Sequence, residues 1–195
     1  MSNEPNYWGS MERKTFQFRL AFGDDFEKMV PLQNQNLATA LSDDQKSDGF
    51  LSAAFTAEQF KRMSESVAVV VALDATDVIG FVCASTAEFN SSSPLPAAMI
   101  ARFPEVMIGT QRLDKLKSFV AGPVCVDKNY RGQGVFEGLY AELFENSPVE
   151  YQVALALIST ANPRSVRAHA KLGMEVVDSF LFGGREFFIV ARTVR

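Results

Sequence analysis

The sequence predicts a single α/β domain in which a mixed sheet is flanked by helices. Three observations carry that expectation. Apolar β-branched runs alternate with helical stripes in the second half of the chain, and two such runs sit back to back as a hairpin in the first half. The length of 195 residues, 47% hydrophobic and 22% charged, suits one globular core. Residues 1–13 read as a polar leader and residues 14–195 as the domain; no internal repeat divides it.

The elements follow in order. Residues 15–20 alternate as a first strand, and Asp24 and Asp25 then open a helix carrying Phe26, Met29 and Val30. Residues 34–54 carry turn signals at Asp43-Asp44 and Asp48-Gly49. Thr56 with Gln59 forms a capping box for a short helix to about Met63. Residues 67–73 and 78–84 are apolar runs joined by a short polar turn, a hairpin. Residues 86–117 read as an insertion, with a Ser-Pro loop at 90–96 and one or two short helices within 97–117. Residues 119–126 form an apolar strand in which Gly122-Pro123 favours a bulge.

A polar turn follows, and then Val135, Phe136, Leu139, Tyr140, Leu143 and Phe144 fall on one helical face. Residues 149–158 read as a buried strand. Asn162-Pro163 starts the next helix as N-cap and first helical residue, and Gly173 ends it. Residues 174–180 and 186–191 read as two closing strands.

Composition narrows the function classes. A net charge of −4 gives no polybasic footprint, so neither nucleic acid nor an anionic membrane is expected as a partner. No stretch approaches the roughly 20 apolar residues of a membrane helix, and the polar start is no signal peptide. The two cysteines, Cys83 and Cys125, lie in strand-like runs, which suits reduced thiols and a cytoplasmic location. Seventeen phenylalanines imply an aromatic interior or an apolar ligand channel.

Two segments carry chemistry. In residues 124–144 a glycine-bearing turn feeds a helix, which leaves backbone N–H groups at the positive end of the helix dipole. Such a place binds phosphate, and Arg131 adds a charge at its rim. The alternative is a tight connection with a solvated arginine. Neither the P-loop nor the dinucleotide fingerprint is present. In the second segment, residues 162–174, Asn162, Ser165 and His169 share a helical face. Asn162 and Ser165 are also good helix-start residues, and a lone histidine is more often structural.

The run Gly122 to Tyr140 (GPVCVDKNYRGQGVFEGLY) resembles the acetyl-CoA motif of the GNAT N-acetyltransferase superfamily: Arg or Gln, two residues, Gly, one residue, then Gly or Ala. Arg131 and Gly134 match, and Phe136 replaces the final small residue. Residues 162–174 (NPRSVRAHAKLGM) resemble the superfamily's second recognisable stretch. The resemblance implies a GNAT-like, mainly antiparallel sheet and direct acetyl transfer from acetyl-CoA, as cosubstrate, to an amine acceptor, without a metal. It implies that Val124, Cys125, Val126, Arg131, Gly132, Gln133, Gly134, Val135, Phe136, Asn162 and Ser165 hold the cofactor. The Val126 N–H would polarise the thioester carbonyl, and His169 would stand beside the sulfur as acid or base. The strand 119–126 lacks the acidic residue or histidine often found in relatives; Glu88 and Asp127 are the substitutes, although Asp127 also suits a turn cap.

Two other readings stay open. Cys125 could carry the acyl group in a ping-pong route, although an apolar strand usually makes a thiol inert. The chain could also be a CoA-binding regulatory module without transfer activity. The acceptor is not readable; Asp43, Asp44 and Asp48 lean weakly towards a cationic amine. The apolar residues of the insertion, including Leu95, Met99, Phe103 and Val106, predict a wall over the acceptor pocket, with a homodimer contact or a patch on the core as alternatives.

Overall fold

The structure, a computed structural model, describes residues 15–42, 50–51 and 53–194. The leader and the turn signals at Asp43, Asp44, Asp48 and Gly49 lie outside the described residues. In chain order come β1 (Gln17–Leu20), α1 (Asp25–Asn34), α2 (Ala57–Ser66), β2 (Ala68–Asp74), β3 (Asp77–Ser85), α3 (Ala87–Ser91), α4 (Pro94–Ile100), β4 (Met107–Ile108) and β5 (Gln111–Arg112). They are followed by β6 (Ser118–Val126), α5 (Val135–Asn146), β7 (Val153–Ser159), α6 (Pro163–Lys171), β8 (Glu175–Phe182) and β9 (Arg185–Thr193). One seven-stranded sheet runs β1-β2-β3-β6-β7-β9-β8, and β4 with β5 forms a separate hairpin. Every neighbouring pair in the large sheet is antiparallel except β6–β7.

Local signals explain most boundaries. The Thr56 hydroxyl accepts from the Gln59 N–H at 3.2 Å while the Gln59 carboxamide oxygen accepts from the Thr56 N–H at 2.9 Å, closing the capping box before α2. Asn162 caps α6 by accepting from the Ser165 N–H at 3.1 Å, and Gly173 follows with φ +75°. Val82 pairs with Val124 and Ala84 with Ala121, so β6 carries one extra residue across Gly122-Pro123, the expected bulge.

Both sheet faces are covered. The α5 stripe (Val135, Leu139, Tyr140, Leu143) packs on Val70, Val82, Phe119 and Ala154, with Val166 and Leu172 from the α6 region alongside. On the opposite face Met29 of α1 and Phe60 and Met63 of α2 cover Val69, Val71 and Phe81. The insertion covers the remainder of that face: Met99, Phe103, Val106 and Leu113 pack on Val120, Val153, Leu155 and Ile189. Arg102 pairs with Asp178 and ties the insertion to β8. Among the described residues no helix is long and apolar enough to cross a membrane.

Two boundaries differ from the sequence reading. Residues 90–96, expected as loop, contain the end of α3 and the first turn of α4. The Thr86 hydroxyl accepts from the Phe89 N–H, and Pro94 sits in the first turn of α4, where its missing N–H costs little. The strand expected over 149–158 begins only at Val153. Val149 is 81% exposed in a turn after Pro148, so its hydrophobicity marks no buried segment.

Candidate active site

The site begins where two strands part. The parallel register joins Ser118, Phe119 and Val120 to Val153, Ala154 and Leu155 and stops there, yet β6 continues to Val126 and β7 to Ser159. The gap opens a cleft of about 880 Å³ lined by both strands, the turn into α5, one flank of α6, residues 50–51 and 53–55 and the α3–α4 segment. Because α5 and α6 lie on one sheet face and residues 50–51, 53–55 and α3–α4 on the other, the cleft has two differently built mouths.

Backbone polarity follows from strand alternation. The Asp127 N–H donates to the Ile79 carbonyl at 2.8 Å, on the β3 side. By alternation the N–H groups of Val126 and Val124 point away from β3, to the edge where β7 is missing. Cys125 turns the other way. Its side chain packs with the α1 cluster, with Sγ 3.9 Å from the Leu32 carbonyl, and burial pushes its pKa up to about 12. Cys125 lines the cleft, but a thiol buried in this way is poorly suited to carry an acyl group.

Gly132 (φ +76°) and Gly134 (φ +85°) shape the turn into α5, and an added Cβ on either would meet nothing within 4 Å. Gly132, Gln133 and Gly134 are exposed, and Gly134 is the N-cap without a side-chain cap bond. The first intrahelical donor is the Gly138 N–H, to the Gly134 carbonyl at 2.9 Å, so the amides of Val135, Phe136 and Glu137 precede it at the positive helix end. The backbone here is an open, left-handed cradle suited to phosphate oxygens. The cleft residues on this side include the cations Arg131, Arg164, Arg167 and Lys171, against one carboxylate, Glu137. Arg131 does more than mark the rim: it donates from Nε to the Val126 carbonyl at 3.2 Å and from a terminal nitrogen to Asn36 Oδ1 at 2.6 Å, linking the turn to the end of α1. Phe136, where the GNAT motif has a small residue, lies against Tyr140 and His169 with ring centroids 4.9 and 5.2 Å away.

His169 lies between α5 and α6 and is 2% exposed. Its Nδ1 is 2.8 Å from the Ser165 carbonyl, which can only accept, so Nδ1 carries the proton. Nε2 then accepts from the Tyr140 hydroxyl at 2.8 Å. Burial lowers the His169 pKa, and the bond to the Ser165 carbonyl offsets only part of this. Both ring nitrogens of a neutral imidazole are thus engaged. Sequence reading missed Tyr140 as the partner because its position counted as one more apolar residue of the α5 stripe. It missed Asn36, 95 residues from Arg131, because no local pattern links them.

The substitute bases are not brought to the cleft. Glu88 is exposed on α3 and Asp127 accepts from the Asn129 N–H at 2.8 Å as cap of the next turn; neither lines the cleft. Asn162 and Ser165 line it while also capping α6.

No protein-family model and no curated protein matches this chain. Solved structures do. An N-acetyltransferase from Staphylococcus aureus Mu50 is 15% identical with a TM-score of 0.60, over 93% of this chain and 99% of that one. An acetyltransferase of the GNAT family from Streptococcus pneumoniae is 14% identical with a TM-score of 0.61, over 92% and 99%. The structure of yncA from Salmonella typhimurium with its cofactor acetyl-CoA is 13% identical with a TM-score of 0.60, over 92% and 94%. With the mainly antiparallel seven-stranded sheet, its single parallel junction and the cleft at that junction, the chain has the GNAT acetyltransferase fold.

Proposed function

We propose that this chain transfers the acetyl group of acetyl-CoA directly to a primary amine. The observation that carries the reading is the parting of β6 and β7 beside a helix start built on two left-handed glycines. The amides of Val135, Phe136 and Glu137, with Arg164, Arg167 and Lys171 nearby, would hold the phosphates. The outward N–H groups of Val124 and Val126 would pair with the pantetheine arm and polarise the thioester carbonyl, where a fixed donor stabilises developing negative charge. Juxtaposing amine and thioester supplies much of the remaining acceleration.

His169 enters as the residue that fixes α6 against α5 rather than as the acid or base that the resemblance implies. Its Nε2 holds the Tyr140 hydroxyl, and burial disfavours the imidazolium that an acid role needs. The competing reading, a CoA-binding module without turnover, draws on Phe136 and on the absence of a carboxylate from the strand edge.

Two measurements test the proposal. CoA and acetyl-CoA at ~1 mM are expected to raise Tm by ligand linkage, and free thiol is expected to appear when acetyl-CoA and an amine panel are added. No Tm shift in folded protein defeats the cofactor site. A Tm shift with no thiol release from any amine leaves the module reading.

A further inference from the structure

The mouth on the α1–α2 face has a chemistry of its own. One wall presents Phe50, Leu51 and Phe55, the other Phe89, Leu95 and Met99. A carboxamide holds each wall. Gln33, 0% exposed, donates from Nε2 to the Phe55 carbonyl at 2.9 Å and accepts from the Phe55 N–H at 2.8 Å. Opposite, Asn90 donates from Nδ2 to the Thr86 carbonyl and to Ser85 Oγ, both at 2.8 Å. A main-chain carbonyl only accepts, so Thr86 settles which end of the Asn90 amide is nitrogen. Asn90 lines the cleft, and with its nitrogen engaged twice the oxygen is the acceptor this side chain has to give. Among the described residues of these two walls, none is Asp, Glu, Lys, Arg or His.

Building on the transfer reading above, we infer that the acceptor is a primary amine on an uncharged apolar body, aromatic or branched, whose N–H is accepted by Asn90 Oδ1. Such walls bind hydrocarbon through burial, and their described residues give a second charge on the acceptor no partner. They also help the chemistry, because an apolar site disfavours the ammonium and delivers the amine with its lone pair free. The nitrogen then forms the C–N bond as the C–S bond breaks. The nitrogen loses a proton to water and the departing thiolate takes one from water, so this mouth needs no carboxylate base.

The test compares 2-phenylethylamine and isoamylamine with spermidine and glycinamide, following thiol release at saturating acetyl-CoA. The two apolar amines are expected to show kcat/KM at least about tenfold above the other two, the scale on which an apolar pocket discriminates. Asn90→Ala is expected to raise the phenylethylamine KM about tenfold and to leave the acetyl-CoA KM unchanged. Preference for spermidine or glycinamide overturns the substrate class while leaving acetyl transfer standing. Absence of thiol release from the two apolar amines, with release from another member of the wider amine panel, overturns this inference alone; absence from the whole panel, with the CoA-induced Tm shift intact, removes the transfer reading and this inference with it. The wild-type ranking decides the matter even where the variant folds poorly.

Discussion

At the α5–α6 mouth the cleft is lined by residues nearly contiguous in sequence, 131–137 and 162–171. At the opposite mouth the two walls come from separated segments, around Phe55 and Asn90, and the first is held by Gln33. On the proposed reading the first mouth would work through main-chain amides and cations, with a geometry set by two glycines and a helix start. On the same reading the second would work through side-chain shape, one wall held by Gln33 reaching Phe55, 22 residues away, and the other by local bonds from Asn90 to Ser85 and Thr86. Backbone chemistry demands particular residue types at fixed spacing, whereas an apolar wall accepts many residues of similar volume. The first kind of site leaves a written motif and the second does not.

The largest expected effect breaks the first mouth. Gly134→Val places a β-branched residue at φ +85° and a side chain in the open cradle, so the CoA-induced Tm shift should vanish. Gly109→Val, with φ +57° and equally open space in the β4–β5 turn, is the control. Both variants should lose about 1–3 kcal/mol of stability from backbone strain, but only Gly134→Val should lose the response to CoA. Equal CoA responses in the two would remove the phosphate role from this turn.

The second mouth is sharpened by separating core from wall. Phe103 (7% exposed) and Met99 (0% exposed) share one cluster, yet only Met99 also lines the cleft. Phe103→Ala should cost about 3–5 kcal/mol and Met99→Ala about 2–5 kcal/mol by urea unfolding. Only Met99→Ala should also raise the acceptor KM. A change in acceptor KM for Phe103→Ala would extend the wall further along the insertion.

The same contrast explains what was legible in the sequence. The succession of elements along the chain, the hairpin, the α5 stripe and both helix caps were readable because periodicity and capping act within a few residues; the order of strands in the sheet was not. The turn from Arg131 to Phe136 was readable because its left-handed backbone at Gly132 and Gly134 favours glycine. The insertion was half readable: its apolar content was visible, but whether Met99 and Phe103 face a pocket or a sheet depends on β6, β7 and β9, which the local pattern does not contain. The face of His169 on α6 was readable, but its partner Tyr140 lay 29 residues away on another helix and decided what the ring can do.

Gly138 offers a smaller effect with an inverted sign. In an exposed helix, Gly→Ala stabilises by about 1 kcal/mol. Here an added Cβ would lie 2.2 Å from the Phe18 ring of β1. Overpacking of that kind costs about 1–3 kcal/mol, so Gly138→Ala should destabilise the fold, as thermal or urea unfolding would record. A gain in stability would show that β1 yields freely and does not constrain α5, the helix whose start forms the cradle.

The smallest effect concerns the buried Tyr140–His169 pair behind the first mouth. Tyr140→Phe leaves the Nε2 acceptor without its donor, a loss of about 1–3 kcal/mol. The pair also sets a pH dependence whose sign follows from burial. The folded-state pKa of His169 lies below the ordinary value of 6.5, so below pH 6.5 the unfolded chain binds a proton that the folded chain refuses. Stability is therefore complete above pH 6.5 and declines as pH falls from there towards the folded-state pKa. Unfolding measured at pH 7.5 and 5.5 should show a larger loss for wild type than for His169→Phe, which lacks the titrating group. Activity separates packing from chemistry: removing an acid or base costs about 10²–10⁴ in kcat, whereas a residue that only holds two helices together should change kcat less than about threefold at pH 7.5. A hundredfold fall in kcat, with folding and CoA binding intact, would return His169 to the sulfur and require Tyr140 to release Nε2 during turnover.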